Sequence, residues 1–239
     1  MKKVNFLIFI VIILIANLLV RGPDVWHALN TPTDKWFSGQ ASWFDPWDLN
    51  VYFSVIGQGQ RGAILFDNQY DSISGKPMFI YQVYTGLGKL FSPFGWSNQF
   101  IFHFSAFLLS FFLGAIIWRF LKIFIASRRS RVLAFAIIFL GGGLGWLFYL
   151  KLMLPDISYP VFILESVLRR PHEAVSSGLL LLAMGFLWKS NFIKAGLASF
   201  VTIFLHPYNV LLLAASVSWE ESSEAARPSA IHSRNKVLL

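Results

Sequence analysis

The chain predicts an all-α polytopic membrane protein of five to six transmembrane helices, with a long first extracytoplasmic loop carrying juxtamembrane helices. Three observations predict it. Hydrophobic residues make up 56% of the 239 residues and charged ones only 13%, about half the usual share in a soluble domain. Apolar runs of near-bilayer length recur along the chain. Lys2 and Lys3, then Arg119, Lys122, Arg128, Arg129 and Arg131, then Lys189 and Lys194 form three clusters with no acid among them. That is the pattern of cytoplasmic flanks.

The same clustering turns the net charge of +8 away from nucleic acid and towards topology. The stretch 21–76 instead holds four basic and six acidic residues and reads as extracytoplasmic. With no cysteine, disulfides, thiolate nucleophiles and Cys-ligated metals are excluded. The five histidines are scattered without metal-ligand spacing.

The first span is the run Val4–Val20, left uncleaved because no small-x-small site follows it in ANLLVRGP. The outer loop begins at Arg21. Within it, Asp45 as N-cap and Pro46 at the first helical position predict a short helix to about Gln58. Trp47, Val51, Phe53 and Ile56 give that helix apolar bulk for lying on the membrane surface. The segment from Pro77 to Phe94, interrupted by Gly86, Gly88, Lys89 and Pro93, is the possible sixth span or an interfacial helix.

Asn98–Trp118 and Val132–Leu150 follow as spans, the latter with a glycine run at 141–145 that permits close helix contact or a break. Lys151–Pro171 is a short outer segment, and Ala174–Trp188 returns to the cytoplasm. Ala195–Val217 crosses again, with a kink where Pro207 frees the Ile203 carbonyl. Residues 1–217 form the membrane domain and 218–239 a polar, disordered tail. Five spans put the N-terminus in the cytoplasm and the tail outside.

Four places could carry chemistry. Asp48 and Tyr52, four apart, share one face of the short helix. The helix N-terminus favours an ionised Asp48, able to accept a proton from a hydroxyl or to ligate a divalent cation. The competing account has Asp48 merely closing a capping box. Lys76 sits where the loop re-enters the membrane and suits a phosphate, or simply snorkels. Arg169 and Arg170, with His172 and Glu173, open a helix on the outer face and suit a lipid phosphate, or ordinary headgroup contact. His206 lies inside a span, where ionisable groups are rare and often functional, or bonds a carbonyl freed at the kink. Asn5 and Asn17 read as interhelical contacts.

The succession Asp48-x-x-x-Tyr52, Gly62, Leu65-Phe66, Asn68-x-Tyr70, Lys76-Pro77, Tyr81 and Gly86-Leu87-Gly88 resembles the first outer loop of GT-C glycosyltransferases. More narrowly, it is similar to the bacterial branch related to dolichyl-phosphate-mannose protein mannosyltransferases and lipid A aminoarabinose transferases. GGGLGW (141–146), RPHEA (170–174) and LHPY (205–208) also look like pieces of bacterial membrane proteins of this kind. Leu49 stands where that branch has a second acid, and Met78 where it has a second proline, so Asp48 would act alone or with Asp45.

The resemblance implies inverting transfer of a sugar from a polyprenyl-phosphate donor to an acceptor hydroxyl on the outer face of a bacterial inner membrane. It makes Asp48 the base, with Lys76 and Arg169 or Arg170 holding the phosphate, and leaves the acceptor open. GT-C enzymes carry more spans, so the resemblance also implies a chain cut short. A transporter or channel component built around His206 and the glycine-broken span, and a truncated inactive membrane protein, are the alternatives.

Overall fold

The structure is a computed structural model that describes residues 3–35, 37–39, 46–70, 75–141, 167–206 and 209–214. Helix α1, Lys3–Asn30, is 28 residues long, or about 42 Å. It does not stop at Val20, so the loop predicted to begin at Arg21 begins after Asn30 instead. Pro23 lies inside the helix, where it removes one backbone hydrogen bond. Burial outweighs that loss: Phe9, Ile12, Ile13, Ala16, Asn17, Val20 and Asp24 are buried at helical spacing, so the packed stripe runs straight through the proline. Asn17 donates from Nδ2 to the Ser110 hydroxyl at 2.9 Å, a polar contact between helices. The Asn5 side chain lies outside the described residues.

Helix α2, Pro46–Gln60, starts where Pro46 predicts and runs one half-turn past Gln58. Its apolar side chains correct the surface-lying expectation. Phe53 and Ile56 are buried, together with Leu49, Tyr52, Val55, Phe66, Tyr84, Ile101 and Phe102, and Val51 packs against that core. Helix α3, Gln82–Phe91, has ten residues and ends in a 3-10 turn, Ser92–Phe94. At about 15 Å it reaches half-way through a hydrocarbon core, so the 77–94 segment is not a sixth span. It serves as the partner of α2.

Their crossing is close enough to require glycine on both sides. A Cβ on Gly59 would sit 2.3 Å from the Thr85 carbonyl oxygen, and one on Gly88 would sit 2.2 Å from that of Ile56. Between the helices, Phe66 and Met78 exchange backbone hydrogen bonds of 2.9 and 2.8 Å, closing the intervening loop at its neck.

Helix α4, Asn98–Phe124, begins at Ser97, whose hydroxyl accepts from the Phe100 N–H, and overruns the predicted Trp118 end by more than a turn. Helix α5, Arg128–Leu140, is capped by Ser127 in the same way and ends at Gly141. The glycine run thus coincides with a helix end, and 142–166 lie outside the described residues. Phe9, Trp118 and Phe135 pack their rings at 5.1 to 6.3 Å where α1, α4 and α5 meet. The Arg131 guanidinium lies 5.5 Å over the Trp118 ring.

Helix α6, Pro171–Trp188, starts one turn earlier than predicted, with Pro171 at its first position. Helix α7, Phe192–Leu205, ends with His206 as its C-cap, and residues 209–214 are helical again. The expected interruption near Pro207 therefore falls where α7 stops. Pro207, Tyr208 and the 218–239 tail lie outside the described residues.

Two compact units divide at Gly178. The second is held by Ala183, Ala198 and Leu213, with Leu180, Phe186 and Ile203 packed against them. Among the described residues two helices, Phe6–Asn30 and Asn98–Phe124, are long and apolar enough to cross a membrane. At 13 and 14 residues, α5 and α7 reach only about 20 Å within the described residues. The supported architecture is thus all-helical, with two span-length helices.

Candidate functional site

Asp48 occupies the first turn of α2, and Tyr52 stands one turn further on. The Tyr52 hydroxyl donates to Asp48 Oδ2 at 3.3 Å. Below it, the Tyr52 ring stacks on Tyr84 with centroids 4.4 Å apart and an interplanar angle of 17°. Tyr81 packs edge-on against Tyr52 at 5.9 Å. Tyr81 caps α3 in the left-handed region, at φ 58°, where a bulky residue is strained. The packing on Tyr52 and on Phe66, at 5.3 Å, holds it there.

Tyr84 carries the cluster to α6. Its hydroxyl lies 2.5 Å from His172 Nδ1, and His172 Nε2 lies 3.5 Å from Glu173 Oε1. Burial pushes the Tyr84 phenol well above its ordinary range, reinforced by the nearby Tyr52, while Arg170 and a hydrogen bond from the His172 main chain work the other way. A protonated phenol can donate or accept, and the His172 tautomer decides which of the two Nδ1 does. The Tyr52 phenol is raised too, first by burial and then by the negative charge of Asp48, with Arg170 opposing. Tyr81 is raised by burial and by Asp48.

Asp48, Tyr52, Arg170 and His172, four of the residues singled out in the sequence, therefore converge. Asp48 and Arg170 bring opposite charges to one phenol. Chemically the arrangement offers a carboxylate oriented by a phenol, a guanidinium whose charge reaches that phenol, and a histidine on the second phenol. Nε2 of His172 and Oε1 of Glu173 are donor types a divalent cation also uses.

Arg169 and Lys76 stand apart from the Asp48 cluster within the first unit. Arg169 Nη1 pairs with Asp24 Oδ2 at 3.0 Å, and Nη2 donates to the Val20 carbonyl at 3.2 Å. It is buried and ties the turn before α6 to α1, where the phosphate-holding role needs an exposed fork. Lys76 is exposed, and no contact among the described residues joins it to the Asp48 cluster. His206 belongs to the second unit, as the half-buried C-cap of α7, with its N–H on the Thr202 carbonyl at 2.9 Å. It is not inside a continuous span. Asp45 lies outside the described residues.

Sequence reasoning did not single out Asp24 or Tyr84 as site residues. Asp24 had a signal, since it continues the Ile13, Ala16, Asn17, Val20 stripe of α1. Tyr84 had none: its partner is 88 residues away.

The buried phenols make the cluster sensitive to alkali. A phenol whose folded pKa lies above its unfolded value of about 10 stabilises the fold below that pH, and the contribution is lost as pH rises through it. Phenolate absorbance of the detergent-solubilised protein should rise in two stages, the later one coinciding with loss of helical circular dichroism. Tyr52→Phe and Tyr84→Phe should each shrink the later stage. A single early stage in the wild type would show these phenols to be open to solvent.

No known protein family, curated protein or solved structure matches the chain.

Proposed function

We propose that this chain is an integral membrane glycosyltransferase of the kind the GT-C resemblance suggests. It transfers a sugar, with inversion, from a polyprenyl-phosphate donor to an acceptor hydroxyl on the extracytoplasmic face of a bacterial inner membrane. The observation that carries this reading is the Asp48 carboxylate at a helix start, held by the Tyr52 hydroxyl, on which the charge of Arg170 also acts. In the reaction, the acceptor oxygen forms a bond to the anomeric carbon as its proton passes to Asp48. The bond from that carbon to the phosphate oxygen breaks, and its electron pair leaves with the polyprenyl phosphate. Arg170 meets the charge that develops on that phosphate. His172 and Glu173 border the same space, and a divalent cation belongs to the proposal only as their ligand.

A bilayer setting is supported by the outward faces of the two span-length helices. On α1, Leu7, Leu18 and Leu19 are 64%, 70% and 56% exposed, a contiguous apolar surface that water would not tolerate well. With Lys2 and Lys3 on the cytoplasmic side, the far end of α1 faces outwards, in the multi-pass arrangement that the basic clusters suggest.

Membranes containing the chain and a labelled polyprenyl-phosphate sugar should transfer label to endogenous acceptors. Asp48→Asn should lower the rate about a hundredfold, the scale of a lost general base, and Tyr52→Phe by less. Equal transfer by wild type and Asp48→Asn would remove Asp48 from the mechanism. Solute flux that depends on His206 and ignores Asp48 would favour a transporter.

A further inference from the structure

An open apolar groove of about 440 Å³ runs along α1, walled by Leu14, Leu18, Val25, Leu29, Trp26 and Phe107. Arg21 supplies the charge in its lining. No residue of the Asp48 cluster lines it, so it is not the space in which sugar transfer is proposed. Arg21 donates from Nη1 to Asn17 Oδ1 and from Nη2 to the Leu168 carbonyl. Its buried Nε–H has no hydrogen-bond partner among the described residues. A guanidinium has five N–H donors, so donors remain. The carboxylate of Asp24, three residues on, is held by Arg169 at 3.0 Å. Two guanidiniums to one carboxylate leave a positive excess at the groove.

Depth defines the occupant. Residues 4–20 of α1 cover about 25 Å, which on the proposed topology sets Arg21 at the outer headgroup level. Leu18, Leu14 and Phe107 then lie on the membrane side of it, and Trp26 lies on the water side, where tryptophan favours the interface. An acyl chain fits the first set and a phosphate fits Arg21, whose planar fork suits phosphate oxygens. We infer that this groove is a binding site for one outer-leaflet glycerophospholipid, its phosphodiester on Arg21 and one acyl chain along Leu18, Leu14 and Phe107. It goes beyond the sugar-transfer reading and stands apart from the donor lipid.

The test is native mass spectrometry of the full chain extracted by detergent from vesicles of phosphatidylethanolamine and phosphatidylglycerol that also contain diacylglycerol and polyprenyl phosphate. The wild type should retain one glycerophospholipid. Arg21→Gln should retain on the order of tenfold less, the scale of one lost charge-assisted contact. Because Arg21 also bonds Leu168, a second variant keeps the guanidinium: Leu18→Trp, at an exposed position, should fill the groove and give the same loss with the helical melt unchanged. Equal retention by wild type and Leu18→Trp would overturn the site. So would retention of diacylglycerol as readily as of phospholipid, or of polyprenyl phosphate in place of glycerophospholipid.

Discussion

Gly88→Ala should destabilise the first unit by about 3 kcal/mol or more, at the upper end of what overpacking does. In an ordinary helix the same change would gain up to about 1 kcal/mol, because alanine is the better helix former. The sign reverses here because the added Cβ would lie 2.2 Å from the Ile56 carbonyl oxygen and 2.9 Å from the Gln60 nitrogen. Both are backbone atoms of α2 and have no rotamer to yield. Gly59→Ala meets the mirror situation, 2.3 Å from the Thr85 carbonyl oxygen.

Gly86 is the internal control. It lies on the same helix as Gly88, and nothing lies within 4 Å of a Cβ built there. Gly86→Ala should therefore raise the melting temperature in detergent while Gly88→Ala and Gly59→Ala lower it. Since α2 carries Asp48 and α3 carries Tyr84, the latter two should also lose the late tyrosine titration stage. A Gly88→Ala melt matching the wild type would mean that α2 and α3 do not cross at this distance.

Asp24→Ala should cost about 3 to 5 kcal/mol, the range for removing one partner of a buried ion pair. Asp24 is 4% exposed and Arg169 9%, so solvent offers little screening to the guanidinium that stays behind. The exposed Asp67 supplies the contrast: its main chain bonds Gln58 through both N–H and carbonyl, and Asp67→Ala should change the melt little. The double variant Asp24→Leu with Arg169→Met should recover most of the loss, because it removes both charges from the interior. The measurement is the unfolding midpoint of the wild type and the three variants in one detergent. Failure of the double variant to recover would show the ion pair to be needed for specificity of packing as well as for charge balance.

How much was legible depends on the distance over which each signal acts. The start of α2 at Pro46, the start of α4 at Asn98 and the apolar run that opens α1 are written in neighbouring residues, and local reading found them. The end of α1 was misread because Gly22-Pro23 is a local stop signal, whereas burial of Asp24 against Arg169, 145 residues later, carries the helix on. The faces of α2 were misread because Val51, Phe53 and Ile56 suit lipid and protein equally well, and α3 claims them. Within the site, Asp48 and Tyr52 were legible from their i, i+4 spacing. Arg169 and Arg170 were adjacent and equivalent in sequence; the fold pairs Arg169 with Asp24, while the charge of Arg170 acts on the Tyr52 and Tyr84 phenols.

By itself the sequence determined the all-helical class, the two span-length helices and the helical register that pairs Asp48 with Tyr52, because composition and periodicity act through nearest neighbours on the chain. Only the tertiary structure decided that Asp48, Tyr84, Arg170 and His172 share one space, that Asp24 holds Arg169, and that Gly59 and Gly88 must stay glycines. Those outcomes depend on contacts between residues far apart in sequence, where the free energy lies in burial and complementary charge rather than in local propensity.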